Sequence, residues 1–278
     1  LFTPAHSCCG VVCIDDEWGL RLAQESEVPV TTVSVFSHRE ADWTVRRINF
    51  DRAIPAVTFD LVTPQGDERH IRMPMLGEVN VQNAVVALVA ALKLGCEFEA
   101  AVSALEGAEQ IPGRMTSVNP DPGAQPLVIV DFAHTPEGLD WTLKSVRELT
   151  RGKLVLVFGT DGDRDATKRE PLAEIAAQLA DVLWVTDENP RTEDASSIRQ
   201  QLLNGIRHVR PDFHDVTEVT TCRRDAVRQA ILAADAGDIV VISGKGAEWY
   251  QDIQGIKHVY NDVPVAREVL EQDIRARL

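Results

Sequence analysis

An alternation of apolar runs and amphipathic segments in residues 154–191 constrains the fold more than any other feature of the sequence. The apolar run Leu154–Phe158 ends in a polar loop, and a segment with helical periodicity follows from about Lys168 to Leu179. A second apolar run, Val182–Val185, ends in a second polar loop. This pattern predicts a strand–loop–helix–strand unit with both loops at the carboxyl ends of strands. Because ligands bind at that edge of an open parallel sheet, the two loops are the first candidates for a functional site.

The same alternation continues on both sides of this unit. Further strands are predicted at Leu127–Val130, near Val216–Val219 and at Ile239–Ile242. Asp194 is a suitable N-cap for one of the helices, which are predicted at Pro136–Thr150, Ala195–Ile206, Arg223–Ala234 and Val263–Arg275. Strands that alternate with helices form a parallel sheet with right-handed crossovers and helices on both faces. We therefore predict an α/β fold with a Rossmann-like, mostly parallel sheet domain.

The first part of the chain shows a different pattern, in which β-rich runs predominate. Five strands are predicted there, at Gly10–Ile14, Val30–Phe36, Trp43–Ile48, Ala56–Leu61 and Arg69–Met73. The last two alternate apolar and polar residues around a turn at Thr63–Asp67, which predicts a hairpin. Helices are predicted at Leu20–Glu25, Val79–Leu94 with Gly95 as its C-cap, and Glu99–Leu105.

A Pro112–Gly113 pair separates the last of these helices from the next β-rich run. Pro-Gly pairs interrupt regular structure, and this one lies where the pattern of the chain changes. We therefore predict two domains, residues 1–110 and residues 111–278.

Composition and charge exclude several classes of protein. A net charge of −15 over 278 residues argues against a nucleic-acid partner. An anionic substrate would therefore depend on local cations or helix N-termini. No apolar run approaches the ~20 residues of a membrane span, and there is no signal peptide. We expect a cytoplasmic protein without membrane insertion.

The five cysteines indicate reduced thiols more than a disulfide framework or a metal site. His6, Cys8, Cys9 and Cys13 crowd near the start, but no second Cys or His pair completes a zinc site. Cys13 lies in an apolar run, where a cysteine behaves as a small buried hydrophobic residue. We predict no metal bound by these residues.

Four polar loops follow predicted strands, and a parallel sheet would bring them together at one edge. The loops are Asp131–His134, Gly159–Asp165, Asp187–Arg191 and Ser243–Glu248. Together they supply acidic groups, amides, cations and glycine N–H groups. Such a set suits a zwitterionic ligand such as an amino acid, or a nucleotide with Mg²⁺.

Each loop also has a simpler interpretation. Asp131 and His134 are placed to cap the helix that follows them. Arg164 and its basic neighbours fit a solvated helix face, and Asn189-Pro190 fits a turn.

Three known motifs fail on the residues present. A calcium loop starting at Asp161 would need Gly and Glu where Ala166 and Leu172 stand. A P-loop ending at Gly244-Lys245 would need Gly where Ile239 stands, and no GxGxxG follows a strand.

Six blocks of the sequence carry a resemblance to a known family. They are Gly77–Asn83, Pro112–Met115, Asp131–Pro136, Phe158–Arg169, Glu188–Arg191 and Gly244–Glu248. In order and spacing they resemble the Mur ligases of peptidoglycan synthesis, most closely the UDP-N-acetylmuramoyl-tripeptide synthetase (MurE) type. The resemblance implies that residues 111–278 are the C-terminal domain and that residues 1–110 are the remainder of the central ATPase domain.

The resemblance also implies a reaction and its partners. Such ligases use ATP with Mg²⁺ to form an acyl phosphate on a UDP-N-acetylmuramoyl-dipeptide, which an incoming amino acid then attacks. The nucleotide would be bound by Asn80, Asn83, Arg114, Asp131 and His134. The incoming amino acid would be bound by Arg164, Glu188, Asn189, Pro190, Arg191, Gly244 and Glu248.

The charges in the second set favour one amino acid among the candidates. Two arginines with acidic neighbours suit meso-diaminopimelate, which has two carboxylates and two ammonium groups. A lysine substrate would leave Arg191 without its carboxylate partner. The alternatives are a ligase for lysine or ornithine, a folylpolyglutamate synthetase, or a non-catalytic amino-acid or nucleotide-binding module.

Several residues depart from the pattern of that family. Thr160 and Asp161 stand where Cys and Gly are usual, and Ala247 stands where His is usual. Thr116 replaces an acidic residue, Glu170 replaces Pro, and Glu188 replaces Asp. These departures put the identity of the added amino acid in question.

Leu1 begins in the middle of a pattern, and the resemblance places the P-loop and most Mg²⁺ ligands before it. We therefore expect a fragment that contains no catalytic residue and does not ligate on its own. The sequence leaves the oligomeric state open.

Overall fold

The computed structural model describes residues 2–37, 39–51, 55–119 and 123–277. The chain forms two compact units, Leu1–Glu109 and Gln110–Leu278, and each is described by itself.

The first unit contains a five-stranded sheet in the order β1–β2–β3–β4–β5. Its strands are β1 (Gly10–Cys13), β2 (Val30–Ser34), β3 (Trp43–Asp51), β4 (Ala56–Val62) and β5 (Glu68–Met73). The first three strands are parallel, whereas β3–β4 and β4–β5 are antiparallel. The predicted hairpin is thus confirmed, and Thr63 Oγ1 accepts hydrogen bonds from two N–H groups of its turn.

The described residues of the first unit also form three helices, namely α1 (Glu17–Glu25), α2 (Glu78–Lys93) and α3 (Phe98–Glu106). Helix α2 buries Val81, Val85 and Val89 against the sheet, in one core with Phe59 and Ile71. Gly95 follows its last turn as predicted, and the next N–H donates back to Ala91 at 3.1 Å. Helix and sheet therefore share one apolar core.

The second unit contains a six-stranded sheet in the order β10–β9–β8–β11–β7–β6. Its strands are β6 (Thr116–Ser117), β7 (Leu127–Asp131), β8 (Leu154–Phe158), β9 (Val182–Val185), β10 (Val216–Glu218) and β11 (Ile239–Ser243). Every neighbouring pair is parallel except β6–β7. The predicted α/β class with a mostly parallel sheet is therefore confirmed. Strand β11 lies between β7 and β8, which creates a switch point in the strand order.

Within residues 110–119 and 123–277, five helices and a hairpin accompany this sheet. They are α4 (Pro136–Arg147), α5 (Arg169–Leu179) after a 3-10 turn at Ala166–Lys168, α6 (Ala195–Val209), α7 (Arg223–Ala233), α8 (Asp262–Arg277), β12 (Tyr250–Ile253) and β13 (Ile256–Val259). Helices α4, α5 and α6 pack side by side, and α7 packs against α8. The two-residue strand β6 and the β12–β13 hairpin were not predicted.

Of three local predictions about helix ends, one is confirmed and two are wrong. The Asp194 side chain accepts a hydrogen bond from Ser197 N at 3.0 Å, which confirms it as the N-cap of α6. The capping of α4 by Asp131 or His134 is wrong, because Thr135 Oγ1 accepts from Gly138 N at 3.1 Å. Helix α4 also ends at Arg147 rather than at the predicted Thr150.

The core of the second unit explains why its central strands are continuous apolar runs. Every residue of β7, β8 and β11 is buried. Side chains such as Val128, Val157 and Ile242 pack against α7 and α8 on one face. When both faces of a strand are covered, consecutive side chains are all buried, so apolar and polar residues do not alternate along it. The polar residues are therefore concentrated in the loops at the strand ends. Within the described ranges, no helix is both long and apolar enough to cross a membrane.

Candidate functional site

The four polar loops lie at one edge of the second sheet. They follow β7, β8, β9 and β11, and these strands are consecutive neighbours in the order β9–β8–β11–β7. All four strands are parallel, so their carboxyl ends point the same way. The sheet therefore brings together loops that lie far apart in the sequence, such as those after Asp131 and Ser243, as predicted.

The loops after β8 and β9 are joined into one surface. Gly162 N donates to the carbonyl oxygen of Asn189 at 2.8 Å. A Cβ on Gly162 would lie 1.9 Å from the carbonyl oxygen of Pro190, so only glycine allows this approach. The Asp163 carboxylate accepts from the N–H of Thr192 at 3.1 Å. These contacts fix the position of the loop after β8 relative to the loop after β9.

Asn189 is the centre of the polar contacts at this edge. Its Nδ2 donates to Asp161 Oδ1 at 2.9 Å and to Glu248 Oε2 at 3.0 Å. Its Oδ1 accepts from Lys245 Nζ at 2.8 Å and from the N–H of Asp252 at 3.1 Å. Asn189 is buried, and all four hydrogen-bonding positions of its amide are used. These bonds fix the amide orientation.

An arginine and a lysine lie at the two ends of this set. Arg191 Nη2 lies 3.1 Å from Asp161 Oδ2, and the fully buried Lys245 Nζ lies 2.8 Å from Glu248 Oε2. Arg191, Asp161, Asn189, Glu248 and Lys245 therefore form a chain of alternating charge around a neutral amide, which we call the polar network. Its groups offer partners to both carboxylates and ammonium ions.

The guanidinium of Arg191 is held in its charged form. Burial disfavours that form, but the hydrogen bond and charge of Asp161 outweigh burial and raise the pKa of Arg191 above its usual value. Arg164, on the loop after β8, is exposed and forms no salt bridge within the described part of the chain. Hydrogen bonds from Thr192 lower the pKa of Asp163, and the charges of Arg191 and Arg164 lower it further. Both predicted guanidinium groups thus act on one carboxylate.

Glu188 is a buried acidic residue next to Asn189 in the sequence. Its Oε2 has no hydrogen-bond partner among the described residues. Burial, followed by the charge of Asp161, raises the pKa of Glu188 to about 8. A Cβ on Gly244 would lie 2.5 Å from Glu188 Oε2, so the glycine makes room for this carboxyl group. Glu188 is therefore protonated at neutral pH.

A fully buried ion pair lies at the end of β11, where the loop with Lys245 begins. Arg223 Nη2 lies 2.9 Å from Asp262 Oδ2, and both side chains are wholly buried. The same Nη2 donates to the carbonyl oxygen of Ser243 at 2.8 Å, at the end of β11. Tyr260 donates to Asp262 at 2.8 Å. This pair and Lys245 were missed by the sequence reasoning, although Lys245 stands between two glycines of a quoted motif. Asp161 was noted there only as a departure from the family pattern.

The residues predicted to bind a nucleotide fall on both units. In the second unit, the exposed Arg114 guanidinium lies 4.5 Å from the ring centroid of Phe132. His134 Nδ1 lies 2.8 Å from the carbonyl oxygen of Phe132. Asn80 and Asn83 belong to α2 of the first unit, where Asn80 donates to Leu76 O at 2.6 Å and Asn83 is exposed.

Asp131 is occupied by contacts within the chain. Its carboxylate accepts from Met115 N at 2.8 Å, from Ala133 N at 3.1 Å and from Thr142 Oγ1 at 2.8 Å. It is buried, and these bonds attach the segment after Arg114 to the end of β7. Its position suits a role in holding that segment.

Two family models match the chain. The Mur ligase middle domain matches residues 1–91, and the Mur ligase, glutamate ligase domain matches residues 113–246. The chain belongs to the Mur ligase family. Ligases of this family depend on ATP.

Curated relatives show which kinds of Mur ligase the chain is similar to. A UDP-N-acetylmuramoyl-L-alanyl-D-glutamate–2,6-diaminopimelate ligase of Streptomyces coelicolor is 36% identical over 272 residues, which cover 98% of this chain and 53% of that protein. A UDP-N-acetylmuramyl-tripeptide synthetase of Leifsonia xyli is 40% identical over 276 residues, with 98% and 52% covered. The chain thus spans about half the length of the curated relatives it matches.

Solved structures of a Mur ligase and of a folylpolyglutamate synthase share the fold. A UDP-N-acetylmuramoyl-L-alanyl-D-glutamate–2,6-diaminopimelate ligase is 33% identical, with a TM-score of 0.63 over 96% of this chain and 53% of that chain. A folylpolyglutamate synthase of Mycobacterium tuberculosis is 18% identical, with a TM-score of 0.65 over 97% and 57%. The second likeness shows the fold alone.

Proposed function

We propose that this chain supplies the amino-acid site and part of the ATP site of a Mur ligase. The reaction would add a diamino acid to UDP-N-acetylmuramoyl-L-alanyl-D-glutamate, with meso-diaminopimelate as the first candidate. The observation that supports this proposal is the polar network. It presents cations and carboxylates at the carboxyl edge of the second sheet, in a chain that belongs to a family of ligases. The names of the relatives support the choice of substrates. We place the reaction in the cytoplasm, where ATP is available.

The charges of the site match those of a diamino acid. Arg191 and Arg164 are suited to carboxylates, and arginine binds them through a planar fork of donors. Glu248 and Asp161 are suited to ammonium groups, because each carboxylate has acceptor capacity beyond its bonds to Asn189. Glu188, held neutral by burial, adds a hydrogen-bonding group without further negative charge.

The chain's own residues would contribute by orientation and not by covalent chemistry. Formation of the amide requires the amino group to lie beside an acyl group that ATP has activated. Asn189 and Lys245 would hold the carboxylates of Asp161 and Glu248 in fixed positions. Carboxylates fixed in this way position a reactant without reorganising during the reaction.

We further propose that Arg114 and His134 of the second unit contact the nucleotide. The nucleotide contacts predicted for Asn80 and Asn83, on the first unit, are a separate proposal. Asp131 would act on the nucleotide indirectly by holding the segment that carries Arg114, since its carboxylate is already bonded. Mg²⁺ would accompany the ATP phosphates. Among the described residues no group of three or more His, Cys, Asp or Glu side chains is placed to hold a metal ion.

A chimeric enzyme tests this function. Residues 1–278 would replace the matching half of the Streptomyces coelicolor relative, and the purified chimera would be given ATP, UDP-N-acetylmuramoyl-L-alanyl-D-glutamate and a diamino acid. We expect mass spectrometry to detect the UDP-linked tripeptide. Glu248→Gln in the chimera should raise the KM for the diamino acid by roughly tenfold or more, because an ammonium partner is lost.

The control is Glu271→Gln, which removes the same charge from an exposed position on α8. This variant should keep the KM of the unmodified chimera. A folded chimera that forms no tripeptide from diaminopimelate, lysine or ornithine contradicts the proposal. Equal KM values for the Glu248 variant and the control contradict the assigned role of Glu248.

A further inference from the structure

Arg191 is already paired with a carboxylate of its own chain. Its Nη2 lies 3.1 Å from Asp161 Oδ2, and its side chain is only 23% exposed. The main chain of Arg191 is held on both sides, since its N–H donates to Asp252 O and its carbonyl oxygen accepts from Gln254 N. These two hydrogen bonds oppose a shift of the main chain. Arg191 can therefore separate from Asp161 only if one of the two side chains moves.

Asp161 is held as firmly from the other side. Its Oδ1 accepts from Asn189 Nδ2 at 2.9 Å, and its main-chain oxygen accepts from the buried Arg169 at 3.0 Å. The remaining bonds of Asn189 fix the direction of that amide donor. The carboxylate of Asp161, at 19% exposure, is thus a fixed negative charge facing Arg191.

The pairing leaves the Nε donor of Arg191 unused. Its Nε is buried and has no hydrogen-bond partner among the described residues. A carboxylate that approaches the fork side-on satisfies Nε and one Nη together, which Asp161 does not do. A ligand carboxylate can therefore compete with Asp161 for Arg191, because it gains the hydrogen bond from Nε that Asp161 does not accept.

Two classes of diamino acid meet this arrangement differently. A diamino acid with a second carboxylate must separate Arg191 from Asp161, and it leaves the Asp161 carboxylate partly buried with Asn189 as its remaining side-chain donor. Loss of a charged partner in a buried place is costly. A diamino acid that ends in an ammonium alone leaves the ion pair intact. Its ammonium then has a free lone pair of Asp161 to donate to.

We propose that Asp161 is a specificity-determining residue of the amino-acid site. It lowers the preference for diamino acids with a second carboxylate, such as diaminopimelate, relative to those with a terminal ammonium alone, such as lysine. This inference rests on the proposed function, because it assumes that Arg191 faces the side chain of the incoming amino acid.

Titration calorimetry on the 278-residue chain tests the inference with two amino acids, meso-diaminopimelate and L-lysine. The test variant is Asp161→Asn, which keeps an acceptor for Asn189 and removes the charge. The matched control is Asp165→Asn, which removes a charge from the same loop where the carboxylate is exposed and caps the 3-10 turn. We expect Asp161→Asn to raise the ratio of the lysine Kd to the diaminopimelate Kd by on the order of tenfold. The control should leave that ratio unchanged.

The outcomes separate the two proposals. Binding with the same ratio in wild type and Asp161→Asn overturns the role of Asp161 and leaves the proposed function standing. An equal shift of the ratio in Asp165→Asn also overturns it, because general charge would then explain the effect. If no folded protein of the set binds either amino acid at millimolar concentration, the amino-acid site is wrong and the inference falls with it. Asp161→Gly replaces the Asn variant if circular dichroism shows that the latter is unfolded.

Discussion

At the scale of single residues, Glu188 has the most unusual environment at the site. Its carboxyl group is buried, one oxygen lacks a partner among the described residues, and the Asp161 carboxylate is nearby. These surroundings favour the neutral form, although Arg223 and Lys245 oppose them. A glutamate that is neutral at pH 7 donates a hydrogen bond as well as accepting one.

The raised pKa of Glu188 predicts a pH dependence of stability. The pKa is about 8 in the folded chain, against an ordinary value of 4.5, so the folded state binds more protons between these values. The free energy of unfolding therefore falls as pH rises through this window and stops falling above about pH 8. Glu188→Gln should remove this contribution, on the order of a few kcal/mol across the window.

Urea denaturation of wild type and Glu188→Gln at several pH values from 5 to about 9 measures the difference. Two parallel curves of unfolding free energy against pH would show that Glu188 ionises normally in the folded chain. The comparison with Gln matters because other groups titrate in the same range and contribute equally to both proteins.

At the scale of secondary-structure elements, Arg223 joins three pieces of the second unit. It begins α7, pairs with Asp262 at the start of α8, and donates to Ser243 O at the end of β11. Neither charge reaches solvent. The pair therefore fixes how the two helices meet the strand that carries the loop with Lys245.

Breaking this pair should be much more costly than breaking an exposed one beside it. Arg223→Met leaves Asp262 buried without its cation, and we expect a loss of about 3–5 kcal/mol in unfolding free energy. The control Arg224→Met breaks the neighbouring Arg224–Glu268 pair, whose side chains are 54% and 56% exposed. That loss should stay below about 1 kcal/mol. Similar losses for both variants in urea denaturation would contradict the importance of the buried pair.

The β12–β13 hairpin forms a wall beside the polar network. Gln251 Nε2 donates to the carbonyl oxygen of Glu188 at 2.8 Å, and Asp252 N donates to Asn189. Arg191 exchanges main-chain hydrogen bonds with the same hairpin. Strand β13 is exposed along its whole length, so its residues have no apolar–polar alternation imposed by a core. This explains why the sequence pattern did not predict it.

At the scale of the whole molecule, the two units have separate apolar cores. Phe59 is fully buried among the residues of β4, β5 and α2, whereas Ile242 is fully buried among those of β11, α7 and α8. Each core lies within one unit of the chain. We propose that the division at residues 109–110 is a true domain boundary.

Separate cores predict separate responses to core substitutions. Phe59→Ala should destabilise the first unit by about 3–5 kcal/mol, and Ile242→Ala should destabilise the second by about 2–5 kcal/mol. In scanning calorimetry we expect two transitions, with each substitution lowering the midpoint of one of them. A single transition that both substitutions shift equally would show that the units unfold together.

Local pattern was sufficient for most elements and for the meeting of the four polar loops at one edge of the sheet. The predicted strands Leu154–Phe158 and Val182–Val185 coincide with β8 and β9, because strands buried on both faces must be apolar throughout. Loops at their carboxyl ends follow from the parallel arrangement that the alternating helices require. The residues of the six quoted blocks were enough to identify the Mur ligase family.

Only the tertiary structure decided which polar groups meet and in what charge state. Asp161, Asn189 and Lys245 come from three loops, and their contacts depend on strand order, which places β11 between β7 and β8. Glu188 reads as an ordinary acid in the sequence, and burial near Asp161 makes it neutral. Hydrogen bonds and pKa values depend on distances and on solvent exclusion, which neighbours in space impose. The sequence by itself therefore determined the sheet and the edge at which the polar loops meet. Only the tertiary structure decided that Asp161 forms an ion pair with Arg191.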